Sequence, residues 1–185
     1  MSKSARSIKD SPDDEYTIEQ HGQMYTRDYS CYIKNSLTNQ YVSPLHDIPL
    51  FCHHKQLENV LNAIIEIPRW SNAKMELSMD LKLNPIIQDT KDGELRFINN
   101  LFPMHGFNWN YGSLPQTWDN PDELDETSGY KGDNDPLDIC EIGSSVLATG
   151  QVIQVKILGK NILFLKIKSL RANVAYMAGM VKFDM

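Results

Sequence analysis

Cysteine is scarce in this 185-residue chain: Cys31, Cys52 and Cys140 are all there is. Their odd number and wide spacing exclude a disulfide framework and a CxxC metal pair, so they are expected to be reduced, structural thiols. Long apolar runs are missing as well. The run Ile162 to Leu165 is broken by Lys166, Lys168 and Arg171, far short of the roughly 20 residues a membrane-spanning helix needs. The first fifteen residues hold four acids and no apolar stretch, which fits neither a secretory signal nor a transit peptide, and a cytoplasmic protein is expected. Basic charge is in deficit, with 18 Lys and Arg against 24 Asp and Glu and a net charge of −6. That balance disfavours direct contact with a nucleic-acid backbone.

What is present is ordinary globular composition, 41% hydrophobic and 23% charged, enough for one domain with a real core. The charge is unevenly spread. Residues 142–185 carry six bases and one acid, leaving 12 bases and 23 acids in the rest, a body of net −11. Such a body is either a solvated acidic surface or carboxylates gathered around cations, and the spacing of the acids has to decide.

Residues 1–15 read as a flexible arm. Cys31 to Lys34 and Gln40 to Val42 flank a turn-rich stretch and predict a hairpin. Leu57, Val60, Leu61, Ile64 and Ile65 keep helical spacing, yet the β-branched run ending at Pro68 predicts a strand, so the local signal is divided. Lys74 to Leu77, Arg96 to Ile98, Leu137 to Ile142 and Val146 to Leu158 are predicted strands, with Gly150 as a turn or bulge. Short strands with few convincing helices predict a small β-barrel with helices attached.

The densest chemistry lies in GDNDPLD, Gly132 to Asp138. If the segment is extended, Asp133 and Asp135 share a face, and Pro136 stiffens the turn that brings in Asp138. Carboxylates this close repel one another unless hard cations neutralise them, which favours Mg²⁺, Mn²⁺ or Ca²⁺ over zinc. An EF-hand is excluded, because a loop starting at Asp133 would put Asp138 at the obligatory glycine and Ser144 at the bidentate glutamate. The bland alternative is a solvated acidic turn. In EIPRWSNAKME, Glu66 to Glu76, Lys74 and Glu76 share a face when extended, as a phosphate-binding cation beside a carboxylate or as a plain ion pair. Trp70 is expected in the core. Arg96 and Tyr111 are a guanidinium fork and a phenol donor suited to phosphate oxygens. His105 is expected to pack its loop, and the Cys52-His53-His54 run lacks a partner pair for a soft metal.

Together these segments carry a resemblance. The run Asp133-Asn134-Asp135-Pro136-Leu137-Asp138, with VSPLHDIPL (Val42 to Leu50), EIPRWSNAKME and NYGSLPQTW (Asn110 to Trp118) in order, is similar to the family I soluble inorganic pyrophosphatases of the eukaryotic type. The resemblance runs from about Tyr16 to Gly159. It implies an α+β, mainly β fold: an OB-like five-stranded barrel with peripheral helices, over 16–159. It implies Mg²⁺-dependent hydrolysis of pyrophosphate to two phosphates by a homodimer. On matching positions, Asp133 and Asp138 resemble metal ligands and Asp135 the metal ligand that holds and deprotonates the attacking water. Glu66 and Glu76 resemble acids lining the same metal cavity, and Lys74, Arg96 and Tyr111 resemble catalytic, phosphate-binding residues.

Two departures qualify that picture. Phe107 stands where the family has a tyrosine, which keeps the ring and loses a donor. After Gly159 the family continues into an acid-rich segment with two further metal-site aspartates, whereas here no acid precedes Asp184. Residues 160–185 are therefore expected to be a divergent tail replacing the missing C-terminal part of the fold, translated from an intron or an alternative exon, and activity is expected to be impaired. The competing expectation is a catalytically inactive isoform serving as a structural or chromatin-associated interaction subunit. Pyrophosphate is the expected ligand, with no membrane and no nucleic acid in direct contact.

Overall fold

The computed structural model describes residues 15–52, 60–100, 102–124, 126, 129–164 and 174–182. Twelve strands run through them: β1 (Tyr16–His21), β2 (Ser30–Asn35), β3 (Tyr41–Val42), β4 (Val60–Ile67), β5 (Met75–Leu77), β6 (Ile86–Gln88), β7 (Thr90–Lys91), β8 (Glu94–Leu95), β9 (Asn110–Ser113), β10 (Asp138–Glu141), β11 (Val152–Phe164) and β12 (Val174–Lys182). The fold is mainly β. Among the described residues there is no helix, so the expected peripheral helices are not met there.

One sheet runs β1-β2-β6-β5 with β3 added to β2, and β10, β12, β11, β4 and β9 pair around a closed ring. The ring is antiparallel except where β10 meets β12. The predicted hairpin is present as β2 and β3, with Ile33 opposite Val42. Its turn is held by the Asn35 side chain, which accepts from the Leu37 and Thr38 N–H groups at 3.0 Å each, a local bond that competes well with extended backbone.

The divided signal around 57–67 resolves as strand β4; Leu57 itself lies outside the described residues, as do His53 and His54. All eight residues of β4 are buried. Leu61, Ala63 and Ile65 pack into one core with Ile139, Ile153 and Val155, while Ile64 and Ile67 pack into another with Cys31, Ile33, Met75 and Ile86. A strand buried on both faces shows no polar alternation, which is why its apolar residues also satisfied a helical spacing.

Two strand expectations are corrected. The expected strand from Val146 starts only at Val152, with Gly150 in the turn before it, because the Leu147 and Ala148 N–H groups bond to the side chains of Asn110 and Gln151 rather than to a neighbouring strand. Arg96 to Ile98 forms only an isolated bridge, Phe97 to Ala73. Trp70, expected in the core, is 54% exposed at a left-handed corner (φ 64°). No described helix is long and apolar enough to cross a membrane.

Candidate functional site

The site begins with an irregularity. Along β4 and β9, Ile65 faces Gly112 and Ile67 faces Tyr111, so Glu66 is an extra residue in a β-bulge. Bulges re-aim side chains that regular pairing would send elsewhere. Glu66, only 4% exposed, accepts at Oε1 from the Leu77 N–H at 3.1 Å and the Ser113 hydroxyl at 3.2 Å. The seam is tight: a Cβ on Gly112 would lie 1.9 Å from the Ile64 carbonyl oxygen, a contact only glycine tolerates.

Around this bulge, Glu66, Lys74, Glu76, Asp80, Asp135 and Asp138 line a cleft of about 210 Å³. Lys74 leads into β5 and places Nζ 3.2 Å from Glu76 and 5.9 Å from the centre of the Tyr111 ring. Tyr111, on β9, donates its hydroxyl to Asp138 at the start of β10. Of the residues singled out from sequence, Glu66, Lys74, Glu76, Asp135 and Asp138 thus meet in the cleft. Tyr111 backs Asp138, while Arg96 is paired with Asp89, and Asp133 stands beside the cleft rather than among its lining residues. Asp80 and Ser113 line the cleft too. Ser113 was legible in principle, since Tyr111 and Ser113 are two apart on one strand and share a face.

The acids hold protons more tightly than usual. Burial pushes Glu66 up to about 8, with Lys74 opposing and Asp138 adding to the rise. Burial also lifts Asp138 to about 6, against the Tyr111 hydrogen bond and the Lys74 charge. Glu76 and Asp135 are raised as well, by burial first and then by neighbouring charges: Lys74 opposes in both, Asp89 adds to both, and Asp133 adds to Asp135. Burial alone would lower Lys74, but the Glu66 and Glu76 carboxylates outweigh it and hold the ammonium charged. Among the described lining residues Lys74 is the one cation, set against the five acids Glu66, Glu76, Asp80, Asp135 and Asp138.

The acid segment is not extended. Asn134 sits at φ 74° in a bend, and the Asp133 carboxylate turns back to accept from the Asp135 N–H at 3.1 Å. This corrects the expectation that Asp133 and Asp135 project together from one strand face. The donor chemistry fits a hard cation, being oxygen-only and rich in uncompensated charge. Among the described residues, however, no three His, Cys, Asp or Glu side chains stand close enough together to hold an ion.

The sequence model of the family described as inorganic pyrophosphatase matches residues 63–163, more than half of the chain. The chain belongs to that family. Among pyrophosphatases, it is 54% identical to the Yarrowia lipolytica inorganic pyrophosphatase and 47% identical to that of Mus musculus, over 144 residues in each case. Those alignments cover 78% of this chain but 49% and 48% of the relatives; the chain spans about half the length of the curated relatives it matches. Among solved structures, it resembles the Schistosoma japonicum inorganic pyrophosphatase with a TM-score of 0.80 and 38% identity, over 90% of this chain and 56% of the other. A truncated Trypanosoma cruzi vacuolar soluble pyrophosphatase, solved in complex with PPi, gives 0.76 and 35% over 91% and 65%. The family match covers the cleft residues from Glu66 to Asp138 and runs past Gly159.

Proposed function

We propose that this protein hydrolyses inorganic pyrophosphate to two phosphates in the cleft between β4, β5 and β10. The observation that carries the reading is the convergence of Glu66, Glu76, Asp135 and Asp138 with Lys74 on one cleft, in a chain of the pyrophosphatase family. Asp133, Asp135 and Asp138 would hold Mg²⁺, with Glu66 and Glu76 as further acids of the same cavity. When bound, Mg²⁺ supplies Lewis acidity that activates water and screens the diphosphate charge.

The chain's own groups divide the remaining work. Asp135, more exposed than Glu66, Glu76 or Asp138, has a raised proton affinity and takes the proton from the attacking water. The water oxygen bonds to one phosphorus as the bond from that phosphorus to the bridging oxygen breaks. Lys74 neutralises phosphate oxygens from inside the cleft, and Arg96 and Tyr111 add a guanidinium fork and a hydroxyl. Catalysis by positioned charge of this kind needs the acids and the cation in one cavity.

The same proposal takes 16–159 as an OB-like barrel unit that follows an arm (1–15), with the tail (160–185) supplying the end of β11 and the strand β12 that complete the ring of β4, β9, β10, β11 and β12. It takes the working form as a homodimer, to which the exposed Trp70 offers an apolar contact. A cytoplasmic setting suits its three unpaired thiols. The test is phosphate release from pyrophosphate by the full chain, with and without Mg²⁺. Release that needs both Mg²⁺ and Asp135 is expected; no release from the parent, or equal release from Asp135→Asn, would overturn the reading.

A further inference from the structure

The acid turn that carries Asp133 and Asp135 is shaped by a segment more than a dozen residues earlier in the chain. Gly132 N–H donates to the Asn120 carbonyl at 3.1 Å, Asn134 N–H to the Asp119 carbonyl at 3.0 Å, and Asp119 N–H to the Asp135 carbonyl at 2.8 Å. Leu137 N–H bonds to the Thr117 hydroxyl at 2.9 Å. Gly132 approaches so closely that a Cβ there would lie 2.4 Å from the Asp119 backbone. Backbone bonds fix where the turn lies, but they leave open how its central residue is held. That residue, Asn134, occupies the left-handed region at φ 74°, which asparagine tolerates better than most side chains but without glycine's freedom, so a bond to its side chain can decide how firmly it is held there.

The Trp118 side chain addresses it. The Trp118 indole Nε1–H donates to Asn134 Oδ1 at 3.0 Å. Trp118 is 55% exposed, so core burial does not account for its place; its one polar group is spent on the residue between the two aspartates. We infer that Trp118 is a positioning residue: its hydrogen bond to Asn134 locks the left-handed turn and so fixes how Asp133 and Asp135 are presented to a divalent cation. Trp118 touches neither the reacting atoms nor the ion; it acts through Asn134. The inference deepens the proposed function and rests on it for the cation, while the locking of the turn stands on geometry alone. Groups that orient metal ligands in this way typically change affinity by about 10- to 100-fold when removed.

The test uses the full chain with Trp118→Phe, which keeps a ring and deletes the donor, and Asn134→Gly, which deletes the acceptor but adopts φ 74° without strain. Two readouts are taken: amide hydrogen exchange of residues 133–135 without metal, and Mg²⁺ affinity by calorimetry. Trp118→Phe is expected to speed exchange in the turn about tenfold and to weaken Mg²⁺ binding at least tenfold, with the melting temperature nearly unchanged. In the Asn134→Gly background, Trp118→Phe is expected to have no further effect, because the bond is already gone. Exchange in Trp118→Phe within twofold of the parent would overturn the inference, as would an undiminished effect of Trp118→Phe in the glycine background. A parent that binds no Mg²⁺ would instead count against the proposed function, and the exchange measurement would still decide the role of Trp118.

Discussion

The Ser113 hydroxyl donates to Oε1 of Glu66 at 3.2 Å, with both side chains almost wholly buried. Together with the Leu77 N–H on the same oxygen, it clamps one side of the carboxyl group. A buried acceptor that loses a donor is costly, so Ser113→Ala is expected to lower stability by about 1 kcal/mol in urea denaturation. Unchanged stability would show that the hydroxyl contributes nothing to holding Glu66.

Asp135→Asn is expected to keep the fold and lose turnover, because an amide is nearly isosteric but cannot accept the proton of the attacking water. The check is a phosphate-release assay beside a circular dichroism spectrum. More than a tenth of the parent rate would reject the role of base.

Stability without divalent cations is expected to fall as pH rises. Glu66 titrates near 4.5 when unfolded and near 8 when folded, and Asp138 near 3.8 and near 6. Between each pair of values the folded chain holds a proton that the unfolded chain has released. Stability is therefore fullest below about pH 4 for these groups and is lost progressively up to about pH 8. Melting temperatures at pH 5 and pH 8 test this, and Glu66→Gln should flatten the difference. A parent that melts higher at pH 8 than at pH 5 would contradict the assignment.

Lys74 and Arg96 are expected to separate in their effects. Arg96 forms an exposed pair with Asp89, with 47% of its side chain open to solvent, and Arg96→Ala should change stability by no more than about 1 kcal/mol while raising KM for pyrophosphate. Lys74 is the cation facing several cleft acids, so Lys74→Ala should also raise the proton affinity of Glu66, visible as a stability loss that is larger at pH 8 than at pH 5. Identical melting behaviour of the two variants would show that Lys74 does not balance the cleft.

How much of this was readable from sequence follows the range of the interactions. The β2–β3 hairpin is set by Asn35 and its neighbours in the turn, so local composition revealed it. Glu66, Lys74, Glu76, Asp135 and Asp138 were legible because acids and a lysine in tight spacing point to charge chemistry. The shape of the acid turn was not, since the left-handed Asn134 is held by Trp118 and Asp119, far back in the chain. The strand β12, in VAYMAGMVK, is rich in alanine and glycine and carried little strand signal. The Glu66 bulge leaves no mark in its own segment at all, because it comes from how β4 meets β9.

The double burial of β4 has a further consequence, for how the molecule comes apart. Ile64 and Ile67 belong to one apolar cluster and Leu61, Ala63 and Ile65 to the other, so neither cluster can melt while the shared strand stays in register with both. The two halves are thereby joined into a single cooperative unit over the described core, and a cavity cut on one side of the strand loosens the other. The cleft inherits that coupling, because Glu66 lies on this strand and loses its clamp whichever half gives way first.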